Sequence, residues 1–177
     1  MGVLNDIGLK YGTDKATFHK YLDFYQKHLP KRSFKGRLLE IGVMDGNSIR
    51  MWREYYPNAE IVGIDTGLQW DLRIEGATLL ELDGTKPEHT TQLGSFDIII
   101  DDGSHMTADQ QKSFKHLFKH QLNKGGLYIV EDLHTSYRPE YVNTKVDSIE
   151  FLNKLKYNKS WLRRGKKSVT CIVEGAL

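Results

Sequence analysis

The chain has 177 residues, 39% of them hydrophobic, which is enough for one domain with a buried core. Its formal net charge of +2 argues against a nucleic-acid-binding surface as the main function. Cys171 is the single cysteine, which excludes an intrachain disulfide and a cysteine-based zinc site within these residues.

Nothing in the sequence indicates secretion or membrane insertion. The N-terminal residues lack the basic stretch and apolar run of a signal peptide. No segment approaches the roughly 18 apolar residues that span a bilayer. We therefore expect a cytoplasmic protein with no membrane partner, in which residues 1–177 form a single domain.

The first predicted element is a helix over residues 15–28, because large apolar residues recur there at helical spacing. The stripe consists of Tyr21, Phe24, Tyr25 and Leu29. We expect it to pack against a sheet.

Five short apolar runs follow, separated by polar stretches, three of which have helical spacing. The runs cover residues 37–41, 60–64, 78–82, 96–100 and 127–130, and the helical stretches cover 47–55, 87–93 and 107–121. Such alternation is typical of crossover units between parallel strands. It predicts an α/β fold with a doubly wound, mostly parallel sheet.

The last third of the chain continues with a predicted helix over residues 146–157. A basic stretch at 163–167 follows, which we interpret as solvated surface. Residues 168–173 alternate between apolar and polar side chains, so we expect a late, antiparallel strand there.

A glycine loop follows the first run, with two glycines spaced as G-x-x-x-G. Glycine lets the backbone turn sharply and approach a ligand closely. A dinucleotide fold uses G-x-G-x-x-G instead, so this loop disfavours a nicotinamide cofactor. Together with the acidic residue before it, the loop resembles the first motif of class I methyltransferases, which bind S-adenosylmethionine. The cofactor contacts that we expect here are Glu40, Gly42, Val43, Gly46 and Ser48.

Aspartates end the next runs. Asp65 ends the second, where a carboxylate can accept hydrogen bonds from both ribose hydroxyls. In the methyltransferase interpretation, Asp83 and Gly84 lie near the adenine. Asp101 either contacts the cofactor or has a structural role only. Each aspartate taken alone is equally consistent with a turn or an N-cap.

Carboxylates also follow the fourth and fifth runs, at Asp102, Glu131 and Asp132. If these strands are neighbours, the three carboxylates converge, and their repulsion raises their pKa values. A cation removes that repulsion, and all-oxygen ligation suits Mg²⁺ or Mn²⁺. His105 follows Asp102 closely and is our candidate general base for a hydroxyl proton.

Ordinary structural roles compete with these assignments. A pair of aspartates usually caps a helix, and a single histidine is usually a surface residue or a satisfied polar group. His134 and Tyr137 either line an acceptor pocket or pack in the core.

Several segments together resemble the macrolide sugar O-methyltransferases of the mycinamicin and tylosin pathways. They are KYGTDK at 10–15, LEIGV at 39–43, FDIIIDDGSH at 96–105, GGLY at 125–128 and EDLHTSY at 131–137. Family members that act on macrolides carry an extra N-terminal region that this sequence does not contain.

The resemblance implies a Rossmann-like class I methyltransferase that moves a methyl group from S-adenosylmethionine to a hydroxyl of a sugar or glycan. It implies Mg²⁺ bound by Asp102, Glu131 and Asp132, with His105 as the base. It also implies that a residue of the early segment folds over the cofactor, and the candidates are Tyr11, Thr13 and Lys15.

Two other functions remain open from the sequence. One is a metal-dependent methyltransferase of a catechol-like phenol, whose vicinal oxygens also chelate a metal. The other is a non-catalytic S-adenosylmethionine-binding module that serves as a partner subunit. The sugar, the hydroxyl and the oligomeric state are not determined by the sequence.

Overall fold

The computed structural model describes residues 2–176, which form one seven-stranded sheet with helices packed against it. The strands are β1 (Arg37–Ile41), β2 (Glu60–Asp65), β3 (Ala77–Glu81), β4 (Phe96–Asp101), β5 (Leu122–Val130), β6 (Lys159–Arg164) and β7 (Ser168–Glu174). Their spatial order is β3-β2-β1-β4-β5-β7-β6. Strands β1 to β5 are parallel, and β7 pairs antiparallel with both β5 and β6. The predicted fold class is confirmed.

The helices are α1 (Val3–Tyr11), α2 (Asp14–Thr17), α3 (Leu22–His28), α4 (Asn47–Tyr55), α5 (Pro87–Thr90), α6 (Thr107–His120) and α7 (Ser148–Lys154). Short 3-10 turns cover Thr91–Leu93, Leu133–Tyr137 and Pro139–Tyr141. Helix α4 has the predicted bounds. No helix within residues 2–176 combines the length and apolar character needed to cross a membrane.

Two elements, α1 and β6, were not predicted from the sequence. Helix α1 begins after Gly2, which has no side chain to cap it, so the usual start signal is missing. Strand β6 has the sequence KSWLRR and lies at the edge of the sheet, where charged residues discourage pairing with another chain. Residues 163–167 are exposed, as expected.

The prediction of one helix over residues 15–28 was wrong, because α2 and α3 are separate. Between them the backbone of Lys20 has a φ of 56°, which no α-helix contains. The break directs His19 and Tyr21 toward the sheet, where Tyr21 donates a hydrogen bond to Asp132. The aromatic stripe nonetheless packs in the core, as expected, with Tyr25 fully buried.

The strand register determines which side chains meet at the carboxyl edge of the sheet. Ile41 of β1 pairs with Asp101 of β4, and Asp101 pairs with Val130 of β5. The residues that follow these three positions therefore emerge side by side. This edge is where ligands of open α/β sheets bind.

Candidate active site

A cleft of about 830 Å³ opens at the carboxyl ends of the parallel strands. Its lining includes eleven of the residues predicted from the sequence: Thr13, Lys15, Gly42, Val43, Ser48, Asp65, Asp83, Gly84, Asp101, Asp102 and His105. Most of the predicted cofactor residues thus share one cavity with the predicted base.

Gly42 is required by a close backbone approach. Its φ is 91°, and a Cβ added there would collide with the backbone carbonyl oxygen of Asp102. Gly46 also has a positive φ, of 78°, and is the N-cap of α4. The loop can therefore bend sharply from β1 into α4 while leaving its backbone accessible.

Asp65 binds the glycine loop through backbone N–H groups. Val43 and Met44 donate to its Oδ2 at 2.8 and 3.1 Å, and Gly67 donates to Oδ1 at 2.9 Å. Burial raises the pKa of Asp65, but these N–H groups outweigh it and hold the pKa below its usual value. Asp65 therefore stays ionised and retains lone pairs for a ligand hydroxyl.

Asp83 closes a turn in a similar way. Its Oδ1 accepts from the backbone N–H of Thr85 at 2.9 Å and from the Thr85 hydroxyl at 2.7 Å. Burial raises the pKa of Asp83, but the Thr85 hydrogen bonds and the Lys86 charge outweigh burial, so the pKa lies below its usual value. Both aspartates are thus held mainly by local or backbone partners.

Lys15 lies at the centre of a buried cluster of carboxylates. Its ammonium is 3.2 Å from Glu40 Oε1 and 3.1 Å from Glu131 Oε2, and it also contacts Asp102. Lys15 and Glu40 are 1% and 0% exposed. Burial lowers the pKa of Lys15, but the carboxylates raise it well above its usual value, so the lysine stays charged.

The carboxyl groups around Lys15 show the cost of burial. Burial raises the pKa of both Asp102 and Glu131, although Lys15 opposes the shift. Burial also raises the pKa of Asp101 to about 7, and Tyr128 donates a 3.2 Å hydrogen bond to its carboxylate. One ammonium does not neutralise this group of acids, so a second cation would be stabilised here.

His105 and Asp132 both have strained backbones. Their φ values are 60° and 52°, in a region that non-glycine residues seldom occupy. The strain brings His105 Nε2 to 3.7 Å from Asp132 Oδ2. Such conformations persist where the surrounding structure enforces them, often at functional sites.

The predicted metal ligands offer the oxygen donors that a hard cation prefers. Donor atoms of Asp102, His105 and Asp132 lie within 4.8 Å of one another. Glu131 lies beside them, with Oε2 facing Lys15 and a buried Oε1 that has no hydrogen-bond partner among residues 2–176. Three carboxylates, one with an unsatisfied oxygen, are a donor set that fits Mg²⁺.

The remaining predicted residues lie outside the cleft lining; besides Glu40, Gly46, Glu131 and Asp132, described above, they are Tyr11, His134 and Tyr137. Tyr11 donates to Glu54 at 2.8 Å. His134 is buried behind Asp132, with its Nδ1 3.8 Å from Asp132 Oδ1. Tyr137 is 43% exposed.

Comparison with known proteins identifies relatives, although no family model matches the chain. The chain is 35% identical over 168 residues to 8-demethyl-8-alpha-L-rhamnosyl tetracenomycin-C 2'-O-methyltransferase of Streptomyces olivaceus, an alignment covering 86% of this chain and 44% of that protein. It is 33% identical over 153 residues to mycinamicin VI 2''-O-methyltransferase of Micromonospora griseorubida, covering 78% and 38%.

A solved structure of the MycE methyltransferase from mycinamycin biosynthesis, in complex with Mg, SAH and mycinamycin VI, superposes with a TM-score of 0.85. That match has 27% identity and covers 99% of this chain and 55% of the MycE chain. The chain is a homologue of the sugar O-methyltransferases, with the class I methyltransferase fold. It spans about half the length of the relatives that it matches.

Two side chains of this methyltransferase homologue reach the site without having been predicted there. Tyr21 donates to Asp132 Oδ1 at 2.9 Å, and His19 Nδ1 is 3.5 Å from the same oxygen. Lys15 was predicted as a cofactor residue, but its contacts are with carboxylates. No sequence pattern pointed to these contacts, because they depend on the break in the chain at Lys20.

Proposed function

We propose that this chain transfers a methyl group from S-adenosylmethionine to a sugar hydroxyl, with the help of a divalent cation, Mg²⁺ or Mn²⁺. The observation that carries the proposal is the single cleft that joins the glycine loop and Asp65 to Asp102 and His105. The relatives named above support the same chemistry. The chain spans about half the length of these relatives, so its own activity has to be established by experiment.

The chain's own residues divide this work. Backbone groups of the loop between Gly42 and Gly46 would face the cofactor, with Asp65 accepting from its ribose and Asp83 from its adenine. Glu40, held by Lys15, would compensate the positive charge of the methionine end. When bound, the cofactor supplies an electrophilic methyl group, and the cation lowers the pKa of the acceptor hydroxyl.

The carboxylates of Asp102, Glu131 and Asp132 would hold the cation beside His105. The Nε2 atom of His105 would accept the proton of the acceptor hydroxyl as the methyl group is transferred. Asp132 Oδ2, 3.7 Å from Nε2, stabilises the resulting imidazolium.

Fewer side chains can be assigned to the acceptor than to the cofactor and the cation. Tyr137 is exposed beyond Asp132 and offers an aromatic face and a hydroxyl to a sugar ring. His134 is 6% exposed, so the proposal gives it no direct contact with the acceptor. The relatives' names point to deoxysugar glycosides, such as rhamnosyl and olivosyl compounds, as first acceptors to test.

The test is a methylation assay with labelled S-adenosylmethionine and a panel of rhamnosyl and olivosyl glycosides, with Mg²⁺ or after thorough chelation. We expect transfer that requires the metal and that is lost in Asp102→Ala. Affinity for S-adenosylhomocysteine should be nearly unchanged in that variant. Glu150→Ala, on the exposed face of α7, is the matched control and should behave like the parent.

Three results would each contradict a different part of the proposal. Transfer that survives chelation would exclude the metal, and absence of S-adenosylhomocysteine binding would exclude the cofactor. Methylation of catechols but not of any glycoside would show that the acceptor is a phenol and not a sugar.

A further inference from the structure

Asp132 faces two different environments. Its Oδ2 points toward His105 in the cleft, at 3.7 Å from Nε2. Its Oδ1 points away from the cleft, toward two other histidines. The distances from Oδ1 are 3.5 Å to His19 Nδ1 and 3.8 Å to His134 Nδ1. The carboxylate therefore separates the proposed catalytic site from a second cluster of donors.

The second cluster has the dimensions of a metal site. Donor atoms of His19, Asp132 and His134 all lie within 4.8 Å of one another. Ligands bonded to Zn²⁺ at about 2.0–2.2 Å in a tetrahedral arrangement lie roughly 3.3–3.6 Å apart. The His19–Asp132 pair, at 3.5 Å, already lies in this range, and the His134–Asp132 pair, at 3.8 Å, is slightly longer. The two histidine nitrogens, which lie within 4.8 Å of each other, would have to approach as the ion binds.

Burial makes the cluster distinct from a chance group of surface histidines. Both histidines are 6% exposed. His134 Nδ1 is buried and has no hydrogen-bond partner among the described residues. A buried nitrogen without a partner is costly, and a cation beside it would remove that cost.

The other polar contacts of the cluster are compatible with an ion. Tyr21 donates to Asp132 Oδ1 at 2.9 Å, and a carboxylate oxygen has lone pairs for both a hydroxyl and a metal. His19 Nδ1 is 3.0 Å from Ser168 Oγ, so the hydroxyl is within reach as a fourth ligand. Mixed imidazole and carboxylate ligands favour borderline ions such as Zn²⁺ over Mg²⁺.

We propose that His19, Asp132 and His134 form a second cation site, here called the histidine site, which takes a borderline divalent ion such as Zn²⁺. Asp132 then bridges this ion and the cation of the catalytic site. The ion ties the segment between α2 and α3 to the turn that starts at Leu133, and it holds the catalytic carboxylate from behind. The histidine site does not depend on the proposed methyl transfer, because its other ligands lie outside the cleft.

The test uses the full chain carrying His116→Gln and His120→Gln, because this pair on α6, with rings 5.5 Å apart, is itself able to bind metal. Metal-free protein is titrated with Co²⁺ and followed by visible absorption. We expect the intense bands of low-coordinate, histidine-bound Co²⁺. Zn²⁺ should displace them, and a large excess of Mg²⁺ should not.

Single variants then locate the ion. In His19→Gln and in His134→Gln the bands should disappear, whereas in Asp102→Asn and His105→Gln they should remain. Bands that survive both of the first variants, or that vanish with either of the last two, would overturn the histidine site and place Co²⁺ in the catalytic cluster.

Calorimetry separates a ligand from a residue that merely orients Asp132. Loss of an outer hydrogen-bond partner weakens metal binding roughly 10–100-fold. We expect His134→Gln to weaken Zn²⁺ binding by more than that, and a smaller effect would overturn its role as a ligand. Because a variant can unfold, circular dichroism is recorded without metal. The Asp102→Asn protein provides a test with both histidines intact, since Zn²⁺ must still raise its Tm.

Discussion

The two halves of the candidate site hold their carboxylates in different ways. In the loop half, Asp65 and Asp83 accept from backbone N–H groups and from Thr85, two residues away from Asp83. In the carboxylate half, the partners are side chains from far along the chain. Lys15 is 116 residues from Glu131, and Tyr21 is 111 residues from Asp132.

This difference has an energetic consequence. A carboxylate bound by backbone amides keeps its partners when a neighbouring side chain is changed. A buried carboxylate neutralised by one distant ammonium loses its compensation when that single residue is replaced. The carboxylate half should therefore be sensitive to single substitutions, and the loop half should be tolerant of them.

The largest effect is expected in the carboxylate half, from His105→Ala. Loss of a general base should slow turnover by about 10²–10⁴-fold. S-adenosylhomocysteine and Mg²⁺ should bind as in the parent, because neither is assigned to this imidazole. Measured turnover equal to that of the parent at neutral pH would assign the base elsewhere.

Next in size is Lys15→Met, which removes the ammonium from among three carboxylates. We expect a loss of about 3–5 kcal/mol in the free energy of unfolding, measured with urea, because buried charge is left uncompensated. Mg²⁺ should restore part of this loss. Lys10→Met is the matched control, since its ion pair with Glu54 is exposed and its loss should change the free energy of unfolding little. Equal losses in the two variants would remove the proposed contrast.

Asp65→Ala tests the loop half. We expect S-adenosylhomocysteine binding to weaken by about 1.5–3 kcal/mol, the range for lost hydrogen bonds to a charged group. Calorimetric titration measures this directly, and Asp65→Asn should lose less because it keeps the shape. The free energy of unfolding should fall by less than in Lys15→Met. Unchanged affinity would count against a ribose contact.

The smallest effect is expected from Thr85→Val, which removes one hydroxyl hydrogen bond from Asp83. The backbone N–H of Thr85 still donates to the same oxygen. The free energy of unfolding should fall by about 0.5–1.5 kcal/mol. A loss as large as that of Lys15→Met would show that the loop half is no more tolerant than the other.

The same division explains what the sequence could predict. The fold class followed from apolar runs and their spacing, and the family resemblance to the sugar O-methyltransferases is confirmed. Asp65 and Asp102 could be placed at strand ends because parallel strands bring their carboxyl ends to one edge. These positions depend on local sequence alone.

Partners from distant segments could not be predicted. The break between α2 and α3 depends on Lys20 adopting a positive φ, for which lysine carries no signal. That break is what carries Tyr21 to Asp132. The orientation of Glu131 toward Lys15 likewise follows from tertiary packing rather than from spacing.

The contact at Gly42 has a consequence for redesign. Any side chain at position 42 would collide with the backbone carbonyl oxygen of Asp102. The chain segments that follow β1 and β4 can therefore lie this close together only with glycine at position 42. Libraries that vary this loop should leave position 42 unchanged. Position 44 is the opposite case: Met44 is 81% exposed with a φ of 50°, so glycine or asparagine fits there without strain. Position 44 can therefore be varied, although position 42, two residues earlier, must remain glycine.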